Sequence, residues 1–493
     1  MVASSWIEGL RRLTSKCLMT KMTILFGCWV SYLLFSGLAV GSESAPSFID
    51  SSGNKIIVER PYHRIISLYG AHSENLFSLG LDKEVIGVSP HEAFPPQATR
   101  KPAFSYHDGV ERFLAARPDL VLIRPMIARG YPNLVSKLKE AGVCVVSLQP
   151  RTVREMFSYW IKLGLLTGRE QEARRMISKF KRGIEDIRHV VEDIPRSKRK
   201  RVYFESIHSR MKTFSPESIA IFALNTAGGI NVASDAHARK GTNIAAYGKE
   251  RILSHAGEID VYLAQRGAMN NITLRQILEE PGFTGIKAVR EGRVYIIDEK
   301  IVSRPTMRLL DGIYEIGRFL YPDVFNDVTI FKEVPRLSRA QFSEMVVKML
   351  RIPLKTPSYR HDILGKRADI HRYGDFKDVD YSGREYKFIE TAVARGLFPK
   401  VKKYEFRPYE ALTREVLAYA ILMAFDLPGT EDEAISDIDV HYPLYPYIST
   451  VVSAGIMGLG PQGRFHPKAP VSGQEAYQVL SSAIAQYCGG NKR

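Results

Sequence analysis

The C-terminal part of the chain repeats itself at a fixed interval. The same number of positions separates Phe376 and Ile435, Asp378 and Asp437, Gly396 and Gly455, Phe406 and Phe465, Pro408 and Pro467, Leu412 and Val471, and Thr413 and Ser472. Each copy reads as an acidic turn, a helix ending at glycine, a loop containing Phe-x-Pro, and a Thr or Ser N-cap that opens a second helix. A constant spacing without insertions predicts an internal repeat whose copies fold alike.

A third copy of the opening helix occurs earlier, as LSRAQFSEMVVKML at 337–350. Ser338 and Thr413 are further apart than Thr413 and Ser472, and the stretch between 355 and 375 accounts for the longer interval. The copies resemble S-layer homology domains, whose pattern is a Phe-x-Asp-Val turn, a helix, Gly-x-Phe-x-Pro and an [Ile/Leu]-Thr-Arg-x-Glu helix start. The resemblance covers about 335–487 and implies a small all-α repeat domain.

By this resemblance, the repeats hold an exported protein on a secondary polymer of the cell wall. Arg339 and Arg414 occupy the arginine position of the motif, and a bidentate guanidinium suits an anionic sugar. Gly473 replaces this arginine in the last copy, so at most two of three sites are competent. The alternative is a helical spacer without a ligand, because a fold alone does not establish a function.

Residues 64–325 alternate short β-branched apolar runs with helical patterns, which is typical of parallel α/β units. The predicted strands are 64–68, 85–88, 120–123, 143–148, 202–204, 261–263 and 294–297. One long amphipathic helix at 169–194 interrupts this alternation and stops before Pro195. Its apolar face contains Ala173, Met176, Ile177, Phe180, Ile184, Ile187 and Val191. We therefore predict two doubly wound α/β lobes, 55–168 and 195–330, with a ligand cleft between them.

Five stretches of this region share a resemblance to one family. They are RIISLYGAHSENLFSLGLDKEVIGVS (64–89), LAARPDLVLI (114–123), LGLLTGREQEARRM (163–176), AGGINVA (227–233) and IKAVREGRVYIID (286–298). In this order they resemble the binding proteins of ABC importers for ferric siderophores, haem and cobalamin. The resemblance covers about 55–330 and implies two α/β lobes joined by one long helix, which the periodicity also predicts. It further implies that the protein presents its ligand to an ABC permease.

Cleft residues are expected in the loops that follow strands. The candidates are Tyr69, His72, Tyr106, His107 and Arg124 in lobe one, and Tyr247, Arg266, Arg304 and Arg308 in lobe two. Tyrosine and arginine suit a rigid aromatic or anionic metal chelate, through stacking and charge-assisted hydrogen bonds.

Two glutamates are candidates for permease docking. In the resembling family, a glutamate at the position of Glu74 projects from the lobe tip and pairs with permease arginines. Glu217, in FSPESIA, is the matching acid of the second lobe. Acids on both lobes would set the orientation of docking. The alternative for Glu74 is a helix-start carboxylate stabilised by the helix dipole.

Residues 1–41 have the order of a secretory signal, with four basic residues, an uncharged run at 23–40 and small residues at 39–41. A retained membrane anchor is the alternative, because an uncharged run of this length is at the lower limit for spanning a bilayer. Both interpretations place the bulk of the protein outside the cytoplasm. The net charge of +16 favours anionic partners. We interpret the basic run at 196–201 as a solvated connector rather than a nucleic-acid site.

The sequence contains no Gly-x-Ser-x-Gly elbow, Walker loop or His-Glu-x-x-His. It also has no Cys/His cluster with zinc spacing. We therefore expect a non-enzymatic, monomeric protein of the cell envelope, without a cofactor or resident metal. Two alternatives remain open. One is a wall-anchored structural or adhesion protein whose binding fold is empty; the other is a scavenger of haem or of free metal, the latter through His72, His91 and His107.

Overall fold

The computed structural model describes residues 45–487 except 91, 93, 96, 239–241, 355–375, 381–384, 400–404, 426 and 428–434. The predicted leader at 1–41 and the long stretch at 355–375 lie outside the described residues. The chain divides into two compact units. Of the smaller unit, residues 45–48 and 57–59 are described, and the Val58 amide donates to the Pro46 carbonyl at 2.9 Å. The larger unit contains both lobes and the repeats.

Lobe one is built on a four-stranded parallel sheet. The strands of this part of the chain are β1 (Ser47–Ile49), β2 (Lys55–Ile57), β3 (Ile65–Ser67), β4 (Val85–Gly87), β5 (Leu120–Ile123) and β6 (Cys144–Ser147). Its helices are α1 (Gly70–Ser78), α2 (Val110–Ala115), α3 (Pro125–Gly130) and α4 (Pro132–Glu140). The sheet order is β4-β3-β5-β6, and every pairing is parallel. All four residues of β5 are buried, as expected of a central parallel strand covered on both faces.

Two antiparallel helices lead out of lobe one, α5 (Val153–Thr167) and α6 (Glu170–Glu192). The Thr152 side chain caps α5 by accepting from the Glu155 amide, and Gly168 adopts φ 67° to allow the tight turn between the helices. Helix α6 is the predicted long helix. Six of the seven predicted face residues are buried, and Ile177 is half-buried. The apolar period therefore identified the buried face of α6 correctly.

Lobe two is built on a six-stranded mixed sheet. Its strands are β7 (Arg201–Ile207), β8 (Lys212–Phe214), β9 (Ile230–Asn231), β10 (Ile244–Ala246), β11 (Val261–Arg266) and β12 (Val294–Asp298). Its helices are α7 (Ile219–Thr226), α8 (Lys249–Ser254), α9 (Leu274–Leu278), α10 (Lys287–Arg290), α11 (Glu299–Val302), α12 (Leu309–Leu320) and α13 (Pro322–Phe325). The order is β10-β8-β7-β11-β12, with β9 beside β7. Strand β8 runs antiparallel to β7 and β10. Strands β8, β9 and β10 were not predicted, because two or three residues are too few to show a periodicity.

The C-terminal repeats form a helical domain with α14 (Arg339–Met349), α15 (Tyr386–Ala394), α16 (Arg414–Ala424), α17 (Tyr445–Ser453) and α18 (Gly473–Tyr487). Three backbone hydrogen bonds close a ring through the starts of α14, α16 and α18. Leu412 donates to Leu337 at 2.8 Å, Leu337 to Val471 at 2.9 Å, and Val471 to Leu412 at 2.9 Å. The three copies therefore surround a pseudo-threefold axis. The predicted fold class, two α/β lobes followed by an all-α repeat domain, is confirmed.

Residues that are one repeat interval apart make the same hydrogen bonds in their respective copies. The Asp378 carboxylate accepts from the amides of Phe406 and Arg407 at 2.9 and 2.6 Å. Asp437 accepts from Phe465 and His466 at 2.7 and 2.8 Å. The N-caps differ, however. The Ser338 and Ser472 hydroxyls accept from the amides of Gln341 and Glu475, whereas Thr413 stands at the N-cap position without accepting such a bond.

The repeats pack directly on α12. The Lys387 ammonium pairs with the Asp311 carboxylate at 3.0 Å, and the Tyr314 and Phe388 rings lie 5.8 Å apart. Phe331 and Val328 belong to the same hydrophobic core as the helices of the repeats. Within the described residues, no helix has the length and apolar character that a membrane span needs.

Candidate functional site

The segment 303–308 joins the two lobes. It follows α11 at the carboxyl end of the lobe-two strand β12 and lies against α1 and α5. The Pro305 carbonyl accepts from Asn75 Nδ2 at 2.9 Å and from Trp160 Nε1 at 3.1 Å. Both donors are buried. These bonds fix the ends of lobe-two strands opposite the carboxyl ends of β3 and β5, where a two-lobed α/β protein has its cleft.

Three of the predicted cleft residues meet at this joint. The Arg124 guanidinium lies 4.4 Å from the centre of the Tyr69 ring, and the Arg304 guanidinium lies 6.0 Å from the same ring. Arg304 also covers Gly70, where a Cβ would lie 2.2 Å from Arg304 Nη1. A side chain at position 70 would displace the arginine. The lobes therefore place two guanidinium groups around one tyrosine.

The charge of these two arginines is not balanced by direct contacts. Neither arginine has a carboxylate within ion-pair distance in the part of the chain that the structure describes, and Arg124 Nε is buried without a hydrogen-bond partner there. Glu92 faces Arg304; its Oε1 accepts from the Ser89 hydroxyl at 2.6 Å, while Oε2 has no partner. Burial raises the pKa of Glu92, which favours its neutral form. Cations and unpaired polar atoms in one place suit a ligand with anionic groups.

An aromatic cluster lies at the same end of the lobe-one sheet. The Tyr106 ring centre is 4.5 Å from that of His107 and 4.8 Å from that of Tyr131. The Tyr131 hydroxyl and His107 Nδ1 are within 3.0 Å. Tyr106 and Tyr131 are half-exposed and His107 is exposed, and the three rings are tilted at 46° to 89° to one another, so this cluster offers ring faces and edges to a planar or macrocyclic ligand.

His72 is a structural residue rather than a cleft ligand. It is fully buried, and its two ring nitrogens contact the Tyr159 hydroxyl at 2.7 Å and the Ile123 carbonyl at 3.1 Å. Burial lowers the pKa of His72 to about 3, so the ring is neutral at physiological pH. The prediction failed because position after a strand does not show which way a side chain on α1 points.

Glu74 and Arg308 also differ from their predicted roles. Arg308 donates to both carboxylate oxygens of Glu74, from Nε at 2.9 Å and from Nη2 at 2.8 Å. Their side chains are only 5% and 1% exposed, for Arg308 and Glu74 respectively. Burial lowers the pKa of Arg308, but the Glu74 charge outweighs this effect and the net shift is upward. Glu74 is thus not available at the surface for docking, and Arg308 is not available to a ligand.

The remaining lobe-two candidates have different surroundings. Tyr247 is buried beside Tyr203, with the Arg251 guanidinium 4.2 Å from its ring centre, so it belongs to the lobe-two core. Arg266 is exposed at the end of β11. Glu217 is exposed in a groove of about 460 Å³ whose lining includes Arg151 from lobe one. Of the two predicted docking acids, Glu217 is the one at the surface.

Both motif arginines of the repeats bind the next copy. Arg339 Nε donates to the Phe406 carbonyl at 2.9 Å, and Arg414 Nε donates to the Phe465 carbonyl at 2.8 Å. Each guanidinium lies 4.7 Å from the ring centre of the same phenylalanine. Arg414 Nη1 additionally pairs with Glu475. These contacts give the motif arginine a structural role, which the sequence did not predict.

Sequence reasoning missed Tyr131, Glu92 and Glu475. Tyr131 directly precedes a proline after the α3 segment, and Glu92 lies in the loop after β4, so both follow strands as ligand residues often do. Glu475 stands three positions after the Ser472 N-cap, at the glutamate position of the Thr-Arg-x-Glu helix start, which indicates its place in the motif but not its pairing with Arg414. Within the described residues there is no group of three or more His, Cys, Asp or Glu that could hold a metal. His91 lies outside the described residues.

Comparisons with known proteins agree with this architecture. Residues 65–301 match the family model described as periplasmic binding protein, and residues 375–415 and 434–476 match the S-layer homology domain. An uncharacterized ABC transporter substrate-binding lipoprotein of Bacillus subtilis is 23% identical over 320 residues, which cover 61% of this chain and 98% of that protein. The vitamin B12-binding protein of Vibrio cholerae is 21% identical over 262 residues, covering 53% of this chain and 90% of that protein.

Among solved structures, a possible iron-binding protein of Staphylococcus epidermidis is 25% identical and covers 53% of this chain and 100% of its own, with a TM-score of 0.47. Proteins of the matched family are non-enzymatic transport components, in agreement with the expectation that the chain is not an enzyme. Residues 65–301 thus belong to the periplasmic binding proteins that include ABC-importer substrate-binding proteins for siderophores, haem and cobalamin, and S-layer homology domains follow them in the same chain.

Proposed function

We propose that this protein captures an anionic metal chelate, such as a ferric siderophore or haem, or a corrinoid, between its lobes and delivers it to an ABC permease. The observation that carries the proposal is the meeting of Tyr69, Arg124 and Arg304 between the two lobes. Two guanidinium groups that have no carboxylate partner in the described part of the chain can bind carboxylate or phosphate groups of a cargo bidentately. The exposed Tyr106, His107 and Tyr131 cluster then supports the apolar or planar part of the cargo.

Relatives support this choice of cargo class without selecting one member. Curated relatives are named vitamin B12-binding protein and cobalamin-binding protein, in Vibrio cholerae and Halobacterium salinarum respectively. A corrinoid fits the aromatic cluster, and a carboxylate-rich ferric chelate fits the arginines. The arginines weigh more, because Arg124 and Arg304 are half-buried without a carboxylate partner among the described residues, and an anionic cargo would offset the cost of their charge.

The remaining parts of the proposal concern location and delivery. Residues 1–41 direct export, and the S-layer homology domains hold the protein on an anionic wall polymer at the motif-arginine position of their repeats. Glu217, exposed on lobe two, docks on the permease. The protein acts as a monomer, since each chain contains both lobes and its own anchor.

One tryptophan makes the cargo test direct. Of the three tryptophans, Trp6 and Trp29 lie in the leader, so Trp160 is the only one in residues 42–493. Its indole nitrogen bonds to Pro305 at the lobe joint, where lobe movement should change its fluorescence. We would titrate residues 42–493 in parallel with ferric citrate, ferrioxamine B, haemin and cyanocobalamin. Saturable quenching below micromolar concentration by one of them would support the proposal and identify the cargo class.

Variants separate cleft binding from adsorption. Arg124→Gln and Arg304→Gln should each weaken cargo binding about tenfold or more, the usual effect of one charge-assisted hydrogen bond. Arg154→Gln is the matched control, because Arg154 is exposed on α5 away from the joint. A flat response to all four probes would favour the wall-anchored structural protein. A haemin absorption band that survives both substitutions would favour haem scavenging elsewhere on the molecule.

A further inference from the structure

The backbone ring of the repeats creates three related grooves, each between the helix start of one copy and the Phe-x-Pro loop of the next. Groove one contains Arg339 and Phe406, groove two contains Arg414 and Phe465, and groove three lies at Gly473. We infer that only groove one binds the anionic wall polymer, and that Glu475 is a built-in competitor that closes groove two. This inference rests on the proposed anchoring function and deepens it.

The two arginine grooves share one geometry. Arg339 and Arg414 each directly follow the N-cap residue of their helix, Ser338 and Thr413. Each arginine uses Nε for a phenylalanine carbonyl and lies over the ring of that phenylalanine at the same distance. In both, this arrangement leaves Nη1 and Nη2 as the groups that can bind an anion.

The grooves differ in the residue that faces these nitrogens. In groove two, Arg414 Nη1 pairs with the Glu475 carboxylate, and Nη2 donates to the Gly458 carbonyl at 2.9 Å. The residue that corresponds to Glu475 in the preceding copy is Val416, so groove one has an apolar side chain in that place. Among the described residues, Arg339 makes no ion pair. Its guanidinium lies instead between Phe406 and Phe398, 4.9 Å from the latter ring centre.

Other acids near groove one are already engaged. Glu410 pairs with Arg407 at 3.1 Å, and the Asp378 carboxylate is held by two backbone amides. Burial lowers the pKa of Arg339, and the nearby carboxylates of Glu410 and Asp378 do not reverse this shift. The desolvation of the Arg339 charge is therefore only partly compensated within the protein. An anion that enters groove one would offset this cost.

Groove three is closed by the junction with the binding lobes. Phe331 precedes Ser338 by the same interval that separates Phe406 from Thr413, so it is the phenylalanine of the first copy. A Cβ at Gly473 would lie 1.6 Å from the Phe331 carbonyl oxygen, and the Gly473 amide donates to the Val334 carbonyl at 2.8 Å. The arginine position is therefore filled by backbone from 331–334, and no side chain fits there.

Cosedimentation with cell walls tests the inference. Residues 42–493 are mixed with walls isolated from the producing bacterium, and with the same walls after hydrofluoric acid has removed the secondary polymer. We expect saturable binding to the native walls only. Arg339→Gln should abolish it, by at least about tenfold in affinity, since it removes the one available guanidinium. Arg395→Gln, at an exposed arginine of the same domain, is the matched control and should bind normally.

A rescue variant tests the competitor directly. Glu475→Val gives groove two the residue that groove one has, so the double variant Arg339→Gln/Glu475→Val should regain binding through Arg414. Glu475→Val alone should approach twice the capacity of the unchanged protein. Thermal unfolding of each variant separates lost binding from lost folding.

Each result decides between defined alternatives. If Arg339→Gln keeps half or more of the capacity, Arg414 also binds and the assignment to groove one is overturned. If the double variant regains no binding, Glu475 is not the competitor. If the unchanged protein does not distinguish native from extracted walls, the anchoring function itself fails, and this outcome is separate from the other two.

Discussion

In the binding lobes, Arg308 is held by Glu74, whereas Arg124 lies over Tyr69 without a carboxylate among the described residues. In the repeats, Arg414 is held by Glu475, while Arg339 lies between phenylalanine rings. Each region thus contains an arginine with a carboxylate partner and, among the described residues, at least one arginine without such a partner. They differ in burial, because the Glu74 pair is at most 5% exposed whereas Arg414 and Glu475 are 19% and 29% exposed.

The difference in burial distinguishes an ion pair that stabilises the fold from one whose partner can be replaced by solvent or by another anion. Removing one partner of a fully buried pair leaves a charge that water cannot reach, and the protein loses stability. Removing one partner of a partly exposed pair costs little, because solvent takes over part of the interaction. The pair in the lobes is therefore expected to stabilise the fold, and the pair in the repeats is exposed enough for the exchange with a ligand that we propose.

The largest effect is expected at the buried pair. Glu74→Ala should lower the free energy of unfolding by about 3–5 kcal/mol, because Arg308 keeps its charge without a partner. Chemical denaturation of residues 42–493 measures this. The double variant Glu74→Met/Arg308→Met should recover much of the loss, since no buried charge remains. An unchanged unfolding midpoint in Glu74→Ala would mean that Glu74 is a surface acid after all, and would restore its predicted docking role.

A buried acid in the repeats gives the next effect. Glu390, on α15, is 3% exposed, and burial raises its pKa from 4.5 to about 9. Between these pH values the unfolded chain releases the proton that the folded chain keeps. The free energy of unfolding should therefore fall as pH rises through this window, by up to about 1.4 kcal/mol per pH unit.

Glu390→Gln should flatten this dependence, because an amide does not ionise. Chemical denaturation at pH 6, 7 and 8 compares the variant with the unchanged protein and with Glu279→Gln, a control at an exposed acid. Equal slopes in all three proteins would show that Glu390 ionises normally and that its site is open to water.

The junction at groove three gives a smaller effect. Gly473→Ala places a Cβ against the Phe331 carbonyl, and overpacking of this kind costs about 1–3 kcal/mol. Gly458→Ala is the matched control, since a Cβ there meets nothing within 4 Å. Thermal unfolding of both variants would show whether the repeats and the segment 331–334 are as closely joined as the contacts indicate; equal midpoints would contradict this.

The smallest effect on stability is expected at the partly exposed pair. Glu475→Val should change the free energy of unfolding by no more than about 1 kcal/mol, as exposed ion pairs do. The same denaturation assay as for Glu74→Ala provides the comparison. A loss as large as that of Glu74→Ala would erase the distinction between the two regions and identify the Glu475 pair as structural.

Much of the architecture was predictable because it depends on patterns along the chain. The long helix α6 was recognised from its apolar period, and four parallel strands of lobe one from their β-branched runs. The repeat was found from its constant interval, and the contacts of Asp378 and Asp437 show why the spacing is strict: each carboxylate holds the Phe-x-Pro loop of its own copy. The short antiparallel strands β8 and β10 were missed, because their positions depend on pairing with β7.

The site was only partly predictable. Tyr69, Arg124 and Arg304 were chosen from their positions after strands and do meet, whereas His72 and Glu74, chosen by the same reasoning or by resemblance, point into the core. Sequence position identifies the edge of a sheet but not the direction of a side chain on the helix that begins there. Resemblance to a family likewise predicts which residue type stands at a position, but it does not predict whether that side chain is exposed.

The sequence by itself determined the two lobes, their connecting helix, the repeats and the residue types available for binding, because periodicity and spacing act over neighbouring residues. Only the tertiary structure decided which arginines meet a carboxylate. Glu74 meets Arg308 across 234 positions and Glu475 meets Arg414 across 61, so each pairing exists only after distant segments pack together. Whether a charge is neutralised or available is a property of the folded neighbourhood, since burial and the nearest counter-charge set its energy.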